Sequence, residues 1–162
     1  MTKKHITVIT LQNIRNYGSV LQALATQHIM EQVGLDCSII DYWRQGTDSV
    51  GGIIAGRTKG KNLFVKIAMS IALLPSSIKQ NKVFDKFNRK YLNLISGRFT
   101  NEDELEKGLQ IVSDIYCTGS DQTWNSGWNN GILPEMFLKF VPQGVRKISY
   151  AASFGKTKLD ED

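Results

Sequence analysis

The sequence predicts an α/β protein built on a Rossmann-like parallel sheet with flanking helices, and three observations carry that expectation. A β-branched run, an amphipathic stretch and a second apolar run follow one another between Ile6 and Trp43. This is the pattern of a strand, helix, strand unit with parallel strands and a right-handed crossover. Three apolar runs are followed by short polar segments containing glycine, "NYGS", "GSDQ" and "SFG", and in an open parallel sheet such turns share the edge where ligands bind. The length of 162 residues suits one well-buried domain and is too short for two ordinary ones.

The elements follow in order. "ITVITL" (Ile6 to Leu11) reads as a first buried strand. Leu21, Leu24, Ala25, His28 and Ile29 recur at helical spacing and predict the buried face of a first helix. Gly34 stops that helix, and "CSIIDYW" (Cys37 to Trp43) supplies a second strand. Residues Arg44 to Lys61 carry five glycines and little periodicity, which predicts a long loop. "NLFVKIAMSIALLP" and "SSIKQNKVFDKFNRKYL" read as two helices broken at Pro75. Ser76 or Ser77 would cap the second, and Val83, Phe84, Phe87 and Tyr91 would form its apolar face. Thr100 or Asn101 caps a short helix with acids in its first turn. Strands are then expected from about Asp114 to Thr118 and from about Lys147 to Ala152, while "GILPEMFLKFVPQG" offers a core or interdomain face.

The charge is uneven. The chain is +5 overall, yet Arg57 to Lys90 holds nine basic residues against Asp85 alone, a local excess of eight that leaves the remainder at −3. Such a block suits phosphate, nucleic acid or an anionic membrane surface, while a solvated helix face is the plainer role. No aromatic-interleaved pattern accompanies it, so nucleic acid is not expected as a partner. Cys37 and Cys117 are predicted to be buried, reduced thiols. "LFVKIAMSIALL" is too short to span a bilayer and contains Lys66, and the N-terminus lacks a cleavage pattern. A cytoplasmic protein with no integral membrane segment is therefore expected. The sequence contains no phosphate-binding P-loop, no dinucleotide fingerprint, no metal-ligand spacing and no Ser-His-Asp order.

"NYGSVLQALATQ", "TGSDQTWN" and "SYAASFG", in this order and spacing, resemble the N-terminal signatures of the polysaccharide pyruvyl transferase family. The resemblance runs from the first strand almost to the last residue, and "GSDQxWN" is its most distinctive part. It implies one half of a GT-B-like two-domain enzyme that moves the pyruvyl group of phosphoenolpyruvate onto two sugar hydroxyls. The product is a cyclic ketal on an exopolysaccharide or cell-wall polymer. The resemblance implies residues 1–162 as the N-terminal Rossmann-like domain, with a C-terminal domain absent from this chain and no cofactor beyond the phosphoenolpyruvate donor. A sugar or polysaccharide acceptor, and either that second domain or a homo-oligomer, are the implied partners.

Within the signatures, Asn16 and Ser19 offer hydrogen bonds beside a helix N-terminus, and Gly18 permits close backbone approach. Helix capping is the plainer role for the same residues. Tyr17 is read as a sugar-stacking or packed aromatic, and Gln22 as facing the cleft or solvent. Gly119, Ser120, Asp121 and Gln122 form the second turn, where Asp121 is the candidate general base, with fixing the loop as its alternative role. Ser153 and Gly155 repeat that setting, Trp124 is read as a core anchor, and Trp128 is left open.

The donor carries phosphate and carboxylate groups and so needs several cationic side chains, yet the signature turns contain only Arg15. His5 and His28 are the only histidines for the general-acid role, and neither is favoured. The donor site and acid are therefore expected in the other domain, and this half alone is expected to be inactive. Two competing readings are a GT-B-like glycosyltransferase using a nucleotide sugar and a non-catalytic module that binds a glycan or a partner.

Overall fold

The computed structural model describes residues 2–44, 49–109, 113–129 and 131–158. Four strands form one sheet: β1 (His5–Ile9), β2 (Asp36–Ile39), β3 (Ile115–Thr118) and β4 (Arg146–Ser149). Their order is β2-β1-β3-β4 and every pairing is parallel. Thr7 stands between Ser38 and Tyr116 in the register. The predicted α/β class holds, with strand ends shifted by a few residues from the sequence estimates.

Both faces of the sheet are covered, as a parallel sheet requires. Ile6 and Val8 of β1, Cys37 and Ile39 of β2 and Cys117 of β3 pack on one face against Ala23 and Met30 of helix α1 (Tyr17–Gln32). Ile9 and Tyr116 face the other side, among Leu105 of helix α4 (Glu102–Gly108), Met136 and Phe140. Met136 lies in a 3₁₀ turn, Pro134–Phe137; of the "GILPEMFLKFVPQG" stretch, Met136, Leu138, Phe140 and Val141 are core, whereas Ile132 and Phe137 are exposed. Asn101 caps α4 by accepting from the Glu104 N–H at 2.9 Å. Cys37 and Cys117 are free and buried, and burial pushes both thiols up from 9.0 to about 12.

Three sequence expectations are corrected. The buried face of α1 is Ser19, Val20, Ala23, Thr26, Gln27 and Met30, whereas Leu21, Ala25 and His28 face solvent. Polar residues can line this face because they are bonded internally: Thr26 Oγ1 donates to the Gln22 carbonyl, and Gln27 Oε1 accepts from the Asn93 N–H at 2.7 Å. Within the predicted 44–61 loop, residues Val50–Thr58 form helix α2, capped by Ser49, which accepts from the Gly52 N–H; residues 45–48 lie outside the described residues.

The third correction concerns Pro75, which does not divide two helices. Helix α3 (Leu63–Tyr91) runs through it for 29 residues, and Ser76 donates to the Leu73 carbonyl instead of capping a new helix. Proline removes one helical N–H bond, and α2 packed along α3 supports the continuous helix. The apolar face of its second half is also narrower than expected: Phe84 is buried, but Val83 and Tyr91 are exposed.

Candidate functional site

β1 sends its chain to β2 on one side and pairs with the later β3 on the other, so the strand order reverses between β1 and β3. Crevices at such reversals are where open α/β sheets hold ligands. The turn after β1 and the turn after β3 meet there.

Asn16 caps α1 in extended backbone, and its Oδ1 accepts from the Gly18 N–H at 2.8 Å. Asn16, Tyr17 and Gly18 are exposed. The Tyr17 ring lies 5.2 Å from that of Phe84 on α3, yet the side chain remains 74% exposed. Ser19 is buried and donates from Oγ to Asp121 Oδ2 at 2.6 Å. The other carboxylate oxygen, Oδ1, accepts from the Gln122 N–H at 2.8 Å. The Asp121 carbonyl accepts from the Ser153 N–H at 3.0 Å. One half-buried aspartate thus ties the first, second and third signature turns together.

Gly119 has φ +125°, and a Cβ there would collide with the Tyr150 carbonyl oxygen. That close approach brings the β4 turn against the β3 turn, and Asp121 and Ala152 complete a bridge. Gly155 closes over Gln122 and Asn125, whose side chains bond to one another at 2.6 Å. Ser120 points inward: it is buried, with its hydroxyl 3.0 Å from Thr26 Oγ1 and 3.4 Å from the Gln22 carbonyl. Gln22 and Ser153 are exposed.

Trp124 is half-buried and donates from Nε1 to the Met136 carbonyl at 3.1 Å, with Phe137 and Phe154 against its ring. Trp128 is 59% exposed on the short helix α5 (Ser126–Asn129), directly after the "GSDQTWN" turn. His5 and His28 lie away from this edge. His5 bonds Ser113 and Ser38 at the start of β1, and His28 lies near the C-terminal end of α1, 3.3 Å from Glu31.

Residues not singled out in the sequence complete the edge. Asn13, nearly inaccessible, donates to Asp41 Oδ1 at 2.8 Å and to the Tyr42 carbonyl at 2.7 Å, and Trp43 Nε1 donates to the same Asp41 oxygen. The Arg98 guanidinium sits 3.9 Å from the Trp43 ring centroid and that of Arg15 at 5.2 Å. Arg15 also donates to Asn81 on α3, and Arg44 to Asn129 at 3.3 Å. Beside Trp43 a cavity of about 500 Å³ is lined by Asp41, Arg89 and Arg98, among others. The only early signal for this cluster was the "DYW" end of the second apolar run, because Arg98 and Arg15 arrive from distant parts of the chain. This edge therefore holds more cationic groups than Arg15 alone. Among the described residues, no group of three or more His, Cys, Asp or Glu converges as metal ligands do.

A family model described as polysaccharide pyruvyl transferase matches residues 16–162. No curated protein and no solved structure matches the chain.

Proposed function

The chain belongs to the polysaccharide pyruvyl transferase family, and from that premise we propose that its sheet edge forms the acceptor wall of a pyruvyl transferase using phosphoenolpyruvate. In the reaction one sugar hydroxyl adds to the enol carbon, the donor methylene takes up a proton, phosphate leaves, and a second hydroxyl closes the ketal. The adding hydroxyl must lose its proton, and Asp121 is the group for that task.

The observation that carries this reading is the position of the Asp121 carboxylate. It lies at the strand-order reversal, half-buried, with Ser19 donating to one oxygen and its own turn to the other. Those bonds fix its orientation and leave lone pairs for a substrate hydroxyl. Asn16, Ser153 and Gln22 line the exposed rim and supply hydrogen bonds to sugar hydroxyls. Trp128 supplies an exposed aromatic face of the kind that stacks on sugar rings. Arg15 and Arg98, held on Trp43, add positive charge on the same side, where an anionic donor approaches.

The donor site proper and the general acid belong, in this reading, to a second domain that closes over the edge. The full-length product then releases phosphate from phosphoenolpyruvate when a sugar diol is present, and the 162-residue chain alone does not. Acceptor binding to the chain alone, read by ligand-detected NMR and abolished by Asp121→Ala, tests the wall separately. Sugar signals unchanged by the chain, or changed equally by the variant, overturn it.

A further inference from the structure

α3 has two halves with different fates. Its C-terminal half is docked: Phe84 is 3% exposed and Asn88 1%, and Asn88 Nδ2 donates to the Gln12 carbonyl at 3.0 Å. Among the described residues its N-terminal half is covered by α2 on one side, where Met69, Ser70 and Leu73 are half-buried and Ser77 is buried. The opposite flank presents Leu63, Phe64, Ile67, Ile71, Leu74 and Ile78, with Phe64 84% and Ile71 70% exposed.

From Phe64 onward these residues are spaced alternately three and four apart, so with Leu63 they form one stripe about 100° wide and about 22 Å long. A contiguous apolar stripe of this kind marks an interaction surface.

The charges around the stripe choose its partner. Across the described residues 49–109, Asp85 is the only acid before Glu102, and it is paired with Arg89 at 3.3 Å. Arg57, Lys59 and Lys61 lie at one end of the stripe, Lys79, Lys82 and Lys86 at the other, and Lys66 between them. On a helical projection Lys82 falls at the stripe's edge, about 50° from its centre, and Lys79 about 110° from it. There their alkyl stems can lie along an apolar layer while the ammonium groups rise to an anionic one. A second copy of the chain would set two such basic blocks against each other. Nucleic acid would leave the aliphatic row uncovered.

By length and composition α3 is apolar enough to cross a membrane, and only 6% of its most apolar window is buried. The expectation of a segment too short to span thus held only while Pro75 was read as a break. Crossing would, however, carry α2 and the adjoining Arg57, Lys59 and Lys61 through the lipid. We infer that the α2–α3 hairpin seats the protein on an anionic membrane surface, with the Phe64 to Ile78 stripe lying in the interfacial plane. Phe84, against Tyr17, follows Ile78 by about 9 Å along the axis. The candidate site would then be held beside the lipid-facing stripe, a fixed lateral distance from it. This inference is independent of which reaction the site performs.

Co-sedimentation of the whole chain with phosphatidylcholine vesicles, with and without phosphatidylglycerol, tests it. Binding should be roughly tenfold or more stronger on the anionic vesicles and should weaken as salt rises. Phe64→Ser with Ile71→Ser, and separately Lys79→Glu with Lys82→Glu, should each lower it by about tenfold, with helix content by circular dichroism unchanged. Equal binding to neutral and anionic vesicles, or variants that bind like the parent, overturns the inference. So does a lipid-indifferent dimer that the serine variant dissolves, which would give the stripe to a second copy.

Discussion

The Ser19 hydroxyl and the Asp121 carboxylate, 102 residues apart in sequence, are 2.6 Å apart in space. This bond orients the proposed base and keeps the first helix registered on the β3 turn. Asp121→Asn removes the charge while preserving most of the shape. Joined to the second domain proposed above, this variant should have kcat lowered by about 10²–10⁴, the usual contribution of a positioned base, with the fold intact by near-ultraviolet circular dichroism. Ser19→Ala should lower kcat less than Asp121→Asn does. Steady-state kinetics on phosphate release distinguishes the two.

Gly119 and Gly34 both hold positive φ, at +125° and +89°, but their surroundings differ. Alanine at Gly34 meets nothing within 4 Å and carries only the backbone penalty, about 1–2 kcal/mol. Alanine at Gly119 also strikes the Tyr150 carbonyl and forces the β3 and β4 turns apart. Its cost should exceed the first by at least about 1–3 kcal/mol. Urea unfolding of the two variants measures the difference.

Asn88 anchors α3 to the end of β1 by donating to the Gln12 carbonyl, with Asn13 Oδ1 at 3.3 Å. Asn88→Ala leaves a buried carbonyl without this donor and should destabilise the chain by about 1–3 kcal/mol. Hydrogen exchange should quicken in α3 more than in the sheet. A uniform change across both would show that Asn88 is not the anchor.

The two buried thiols favour their neutral form, so stability depends on alkaline pH. With the folded pKa raised from 9.0 to about 12, the contribution is fully present below pH 9 and is lost as pH rises from there toward 12. Each thiol adds up to about 1.4 kcal/mol of loss per pH unit in that window. Cys37→Ala with Cys117→Ala should flatten the decline in Tm above pH 9. Native protein at pH 8 should resist thiol reagents until it unfolds.

The strands were legible because β-branched runs such as "ITVIT" have few alternatives once both sheet faces are buried. The turns were legible too, since polar residues and glycine after such runs mark one edge. The orientation of α1 was not, because a periodicity reading rewards Leu21 and Ala25 and ignores Thr26 and Gln27. Those two are buried only because Ser120, Tyr91 and Asn93 give them partners. α2 was hidden by its glycines and is supported by the neighbouring α3, a tertiary effect no local window contains. The Asp41, Trp43 and Arg98 cluster was invisible for the same reason, being assembled from segments about fifty residues apart.

β1 is the second strand of the sheet, yet only one of its two neighbours is close in sequence. Its pairing with β3 joins residues 109 apart, as Ile6 with Ile115. On a ribosome adding roughly 5–20 residues per second, one flank of that first strand stays unsatisfied for about 5–20 seconds. The nascent chain should therefore be most prone to aggregate, and most in need of chaperone shelter, until the segment through Thr118 has left the exit tunnel.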